Sequence, residues 1–136
     1  MTVTTLIPTY NRANYLSSSI QSVLNQTKPV NQIIIIDDGS LDNTEEVVQS
    51  FGNHVQYIKN DNGGQASALN IALPHILSKY TWIMDDDDLA LPHAIFSHLK
   101  VFEKFPDIAF TYSSFYRGYE APTNSDILCI YKEENP

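Results

Sequence analysis

Ile33-Ile34-Ile35-Ile36 sets four β-branched side chains in a row with no polar residue between them. Successive side chains of a strand point to opposite faces, so this run puts apolar groups on both sides of a sheet. A sheet with one wet face would leave half of them in water. The run therefore asks for a strand covered on both faces, the pattern of parallel sheets whose crossover helices pack above and below. It stops abruptly at Asp37-Asp38-Gly39-Ser40.

The rest of the chain alternates in the same sense. Val3 to Ile7 is a β-rich run ended by Pro8, and Leu16, Ile20, Val23 and Leu24 recur at helical spacing, predicting a helix over about Ala13 to Gln26. Asp42 with Glu45 three residues on resembles a capping box opening a helix to about Ser50. Val55 to Ile58 is a third strand, followed by the loop Asn60-Asp61-Asn62-Gly63-Gly64. A helical pattern through Ala66, Leu69, Ala72 and Leu73 reaches Ile76 and Leu77, with Pro74 expected to kink or split it. Tyr80 to Met84 is a fourth strand. Pro92 opens a helix carrying Ile95, Leu99 and Phe102, and Ile108 to Tyr112 is a fifth strand. Beyond Ser113 the periodicity fails, with Asp126 to Tyr131 a candidate for one last strand. The expected fold is α/β, a three-layer α/β/α arrangement around a mainly parallel, Rossmann-like sheet.

In such sheets ligands bind beyond the carboxyl ends of the strands. Three of the first four strands end in polar or acidic groups: Thr9-Tyr10-Asn11-Arg12, Asp37-Asp38-Gly39-Ser40 and Asp85-Asp86-Asp87-Asp88. The third ends in the glycine loop. Four adjacent carboxylates repel one another, and oxygen-only ligands suit Mg²⁺ or Mn²⁺, which bind through one or two carboxylates and substrate phosphates. A solvated acidic turn is the plainer reading of the same run. His54, His75, His93 and His98 show no metal-ligand spacing.

At 136 residues the chain is expected to form one domain. A net charge of −8 argues against nucleic acid as a partner. No apolar stretch of about 18 residues is present for a transmembrane segment, and the start of the chain lacks the pattern of a signal peptide. The single Cys129 fits a reducing compartment. The expectation is a cytoplasmic protein, with the inner face of a membrane as a peripheral site.

These segments together closely resemble the nucleotide-binding half of family 2 glycosyltransferases, which have the GT-A fold. Pro8-Thr9-Tyr10-Asn11-Arg12 is similar to the family's first-strand signature, and Asp37-Asp38-Gly39-Ser40-Leu41-Asp42-Asn43-Thr44 to its second. Asn62-Gly63-Gly64-Gln65-Ala66-Ser67-Ala68-Leu69-Asn70 resembles its glycine-loop helix, and Met84 to Pro92 its metal-binding segment and following proline. The resemblance implies an enzyme moving a sugar from a nucleotide-sugar, a UDP-sugar by expectation, to an acceptor hydroxyl, with inversion and with Mn²⁺ or Mg²⁺. It implies nucleotide contacts from Pro8, Thr9, Tyr10, Asn11, Asp38, Gly64, Asp85 and Asp86, and metal ligation by Asp87. In that scheme Pro8 and Tyr10 line the base pocket, Asp38 accepts from the uracil imide and Asp85 lies near the ribose.

Each role has a plainer alternative. Tyr10 is also a candidate core aromatic, Asp37 a local turn acceptor, Gly63-Gly64 a turn without phosphate contacts, and Asn70 either a structural hydrogen-bonder or a site residue. Asp86 and Asp88 are expected to point away from Asp85 and Asp87, since extended side chains alternate. The resemblance covers about Thr2 to Tyr112. It implies residues 1–112 as the nucleotide-sugar-binding half and 113–136 as the start of an acceptor half or an irregular tail. The family's catalytic base has no counterpart here, since Glu120, Asp126, Glu133 and Glu134 sit in no matching motif. A truncated chain that binds donor without transferring sugar is accordingly the alternative. A receiver domain fits poorly for want of an acidic pair after the first strand, and a nucleotidyltransferase for want of a glycine- and arginine-rich loop there.

Overall fold

β1 (Val3–Thr9) lies inside a four-stranded sheet between β2 (Gln32–Asp37) and β4 (Tyr80–Ile83), with β3 (Gln56–Lys59) beyond β2. All three pairings are parallel, so every strand delivers its carboxyl end to the same edge. The structure, a computed structural model, describes residues 1–114. The connecting helices are α1 (Ala13–Leu24), α2 (Thr44–Gln49), α3 (Gln65–Ala72) and α4 (Ala94–Lys104).

The isoleucine run splits as its geometry requires. Ile33 and Ile35 join Ile7 against Leu16, Ile20 and Val23 of α1 and Val48 of α2. Ile34 and Ile36 join Leu6 against Ala68 and Ala72 of α3. Those alanines stand one turn apart, which lets the short α3 lie close to the sheet. Ile95 and Leu99 of α4 pack with Val3. Helices therefore cover both faces, and the three-layer expectation holds.

Four details depart from or refine the sequence reading. β1 continues through Pro8 to Thr9, where the reading ended it at Pro8. The Leu6 carbonyl accepts from Met84 N on the β4 side, and Pro8, two residues on, directs its missing donor the same way. The β1–β4 ladder ends at Leu6↔Ile83, so Pro8 breaks no rung. The expected capping box does not form: Asp42 accepts from Thr44 N at 3.1 Å, whereas Glu45 pairs with Lys59. Pro74 splits its helix as expected, α3 ending at Ala72 before a 3₁₀ turn at Leu73–His75. Ile108 to Tyr112 forms no strand, because no neighbouring strand pairs with it among the described residues and Ile108, Phe110 and Tyr112 stand exposed. Asp126 to Tyr131 lies outside the described residues.

Candidate active site at the carboxyl edge of the sheet

The four strand ends are tied to one another by side-chain bonds. Asn11, just after β1, has φ +52°, a left-handed conformation that asparagine tolerates better than most residues. Its N–H donates to Ser40 Oγ at 2.9 Å, and its Oδ1 accepts from Leu41 N at 2.8 Å. This pair of bonds joins the β1 loop to the β2 loop. Asp42 adds a third tie by accepting from Ala13 N, the first residue of α1, at 3.1 Å. Despite desolvation, the bonds from Thr44 and Ala13 hold its carboxyl below the ordinary value.

Asp37 and Asp38 divide the work at the end of β2. Asp37 is fully buried and accepts from Ser40 N at 2.8 Å and from the Tyr57 hydroxyl, so it is a turn acceptor. Burial, then the bond to Asp37, push the Tyr57 phenol up. Asp38 reaches forward to the glycine loop, accepting from Gly63 N at 2.9 Å, Gly64 N at 2.7 Å and Asn60 Nδ2 at 3.1 Å. The Gly63 bond first, then those of Gly64 and Asn60, hold its carboxyl below the usual range against the cost of burial. Gly64 sits at φ +86° to open α3, a backbone suited to glycine. Gly64, implied at the nucleotide by resemblance, gives its N–H to Asp38. A carboxylate has about four acceptor positions, so Asp38 keeps one beyond these three bonds.

The aspartate run does not stay extended: Asp88 N donates to Asp85 O at 3.2 Å to close a turn, so only Asp86 points inward, and Asp88, expected on its side, is exposed with Asp85 and Asp87. Asp86 turns inward, 5 % exposed, and accepts from Thr9 Oγ1 at 2.7 Å. Thr9 and Asp86, both implied at the nucleotide by resemblance, face each other here, because a buried carboxylate needs a donor and Thr9 supplies it. Burial pushes the Asp86 carboxyl up, opposed by Thr9 and Arg12. Asp85 and Asp87 face solvent, Asp85 accepting from Gln65 Nε2 at 3.1 Å and Asp87 from Arg12 Nη1. The same Arg12 Nη1 lies 3.3 Å from Asp86 Oδ1. Asp86 first, then Asp87, raise the guanidinium pKa further. Desolvation, then repulsion from Asp85, Asp87 and Asp86, push the Asp88 carboxyl up.

Tyr10 is 44 % exposed, which removes the core-aromatic alternative and leaves a ring face open at this edge. Pro8 is buried in β1. The loop after β4 is held from beneath by α1 and by Gln26 just beyond its end. Ser19 Oγ lies 2.7 Å and 2.6 Å from the carbonyl oxygens of Asp86 and Asp88, one of which takes its single proton. Ser22 Oγ accepts from Ala90 N at 3.0 Å, and Gln26 bonds Leu91 O and Ile95 N. Sequence reasoning passed over these residues. Their signal was present: polar side chains at 19, 22 and 26 keep helical spacing beside the apolar stripe. Arg12 and Gln65 carried no such signal, since their partners lie at distant strand ends.

Among the described residues no group of three or more His, Cys, Asp or Glu is arranged to hold a metal ion by itself. The solvent-facing carboxylates of Asp85 and Asp87 fit a hard divalent cation whose shell is completed by phosphate oxygens and water. No helix among the described residues is long and apolar enough to cross a membrane.

Comparison with known proteins agrees with this geometry. The chain is 37 % identical over 102 residues to an uncharacterized glycosyltransferase of Rickettsia prowazekii, covering 75 % of this chain and 32 % of that protein. It thus spans about a third of the length of that curated relative. The fold is similar to Staphylococcus aureus TarS, solved in complex with UDP-GlcNAc, at TM-score 0.70 and 22 % identity, covering 76 % of this chain and 32 % of that one. It is also similar to a mannosyltransferase of Pyrobaculum calidifontis, solved with GDP-Man and Mn²⁺, at TM-score 0.69 and 25 % identity, covering 74 % and 32 %. The neighbours are GT-A glycosyltransferases, and the parallel sheet with flanking helices is that fold. The glycosyl transferase family 2 model matches residues 4–134, and the chain belongs to that family.

Proposed function

We propose that this chain forms the donor-binding part of a metal-dependent glycosyltransferase that takes a nucleotide-sugar and passes its sugar, with inversion, to an acceptor hydroxyl. The observation that carries the reading is the hydrogen-bonded convergence of four strand ends, which sets an exposed tyrosine, a buried carboxylate and two solvent-facing carboxylates at one edge. Tyr10 offers a flat apolar face to a base. The remaining acceptor position of Asp38 suits a ring N–H, which uracil carries as the imide N3–H and guanine as the lactam N1–H and which adenine lacks. Asp87, with Asp85 beside it, would hold Mn²⁺ or Mg²⁺, which supplies positive charge to the diphosphate as the leaving group departs. Thr9 and Asp86 position these groups, and Asn11 and Gly64 shape the loops around them.

UDP is the expected nucleotide, with GDP next because guanine also carries a ring N–H. The structures of TarS with UDP-GlcNAc and of the mannosyltransferase with GDP-Man and Mn²⁺ support both the donor class and the metal. Calorimetry tests the reading. UDP should bind with Mn²⁺ or Mg²⁺ and far more weakly with EDTA, and Asp87→Ala should remove most of that difference. Equal affinity with and without metal would refute it.

A second reading is that the 136-residue chain binds donor without transferring sugar by itself. The chain's coverage of only 32 % of the Rickettsia relative favours it, and general-base assistance is worth about 10²–10⁴-fold. Turnover onto a sugar acceptor by the purified chain decides against this reading.

A further inference from the structure

We propose that Arg12 is a partner-exchanging residue of the donor site: it neutralises Asp87 until a nucleoside diphosphate arrives with its metal, then yields Asp87 to the metal and turns to the phosphates. The inference rests on the donor-site reading above.

The parts differ in freedom. Asp86 is fixed, with a side chain 7 % exposed and bonded to Thr9. The Arg12 backbone is fixed too, because its carbonyl accepts from Tyr15 N and Leu16 N at the start of α1, and Asn11 before it is locked to the β2 loop. The Arg12 head and Asp87 are not so held; their side chains are 49 % and 45 % exposed. Arg12 meets both aspartates through Nη1, which leaves Nη2 and Nε as donors directed elsewhere. The other ion pairs among the described residues are Lys59–Glu45 and Lys100–Glu103, so Arg12 is the cation bonded to the aspartate run there.

Two cations compete for one oxygen. Asp87 Oδ2 accepts from Arg12 at 2.5 Å, and a divalent ion ligated by that atom must take the guanidinium's place. A released guanidinium that remains beside Asp86 has a planar fork, the geometry that suits phosphate oxygens. Free metal is then disfavoured by loss of the Arg12 bond. Metal arriving with diphosphate restores it, since the phosphates give the guanidinium a new partner. Metal and nucleotide binding become coupled through one side chain.

The test measures Mn²⁺ alone by electron paramagnetic resonance and UDP at saturating Mg²⁺ by calorimetry. Removing a unit charge a few ångströms from the ion should tighten Mn²⁺ alone about tenfold in Arg12→Gln, even after screening. UDP at saturating Mg²⁺ should bind about tenfold weaker, through the lost phosphate contact. Adding Asp87→Ala should abolish the gain in Mn²⁺ affinity. Mn²⁺ affinity that is unchanged, lowered or undetectable in both chains overturns the exchange, as does tighter Mn²⁺ with unchanged UDP binding. Should Arg12→Gln not fold, the guanidinium ¹⁵N resonances of the wild type decide: they must shift when UDP and Mg²⁺ are added together, and constancy overturns the proposal. A wild type that binds neither UDP nor GDP with Mg²⁺ sinks the donor-site reading and the exchange together. Nucleotide binding without the Arg12→Gln effects sinks the exchange alone.

Discussion

Thr9 Oγ1 donates to Asp86 Oδ2 across 2.7 Å, joining the end of β1 to the end of β4 over 77 residues of chain. The two strands have already stopped pairing there, so this bond continues their association where the ladder ends. It also aims the aspartate run. With Asp86 drawn inward, the turn closed by Asp88 N on Asp85 O leaves Asp85, Asp87 and Asp88 facing out.

Thr9→Val keeps the shape of the side chain and removes the donor. A buried carboxylate left short of a partner should destabilise the fold by about 1–3 kcal/mol. Thr9→Ser should recover most of the loss. Urea denaturation of the three chains measures this, and equal stabilities for threonine and valine would contradict it.

Gln26→Leu tests the support that the residue just beyond α1 gives to the loop after β4. It orphans Leu91 O and Ile95 N, at about 1–3 kcal/mol for each group that stays dry. Thermal unfolding should fall accordingly, and amide exchange should quicken at Ile95. An unchanged melting temperature with unchanged exchange would mean that water replaces the amide at no cost.

The glycine loop gives stability a pH dependence of known sign. The Asp38 carboxyl lies below the ordinary value in the folded chain, so its contribution is complete above the unfolded pKa of about 4. It is lost as pH falls through the lower folded value. Asp38→Asn should therefore be less stable than wild type near neutrality, and the difference should shrink as pH falls below about 4. Melting curves from neutral to acid pH check this; parallel curves would show that Asp38 titrates alike in both states.

Base choice follows from the same carboxylate. UDP and GDP each carry a ring N–H on the base and ADP does not, so ADP should compete poorly against UDP at equal Mg²⁺. Asp38→Asn should weaken UDP by about 1–3 kcal/mol, the loss of a hydrogen bond to a charged acceptor. Competition calorimetry that finds ADP equal to UDP would remove Asp38 from the base pocket.

Much of this was legible in the residues. Ile33 to Ile36 demanded a strand covered on both faces, and the alternation around it demanded crossover helices, because both are consequences of local side-chain direction. The acidic and polar strand ends followed from where the apolar runs stop. Partner choice was not legible. Asp38 and Asp86 look alike in sequence, yet one holds a glycine loop and the other a threonine on β1. Ile108 to Tyr112 has strand composition and forms no strand among the described residues, because a strand needs a neighbour and no run of residues contains its own. Local chemistry determined the elements and the edge at which they end. Only tertiary packing decided which carboxylate is buried, which is bonded and which faces water, since those depend on donors tens of residues away along the chain.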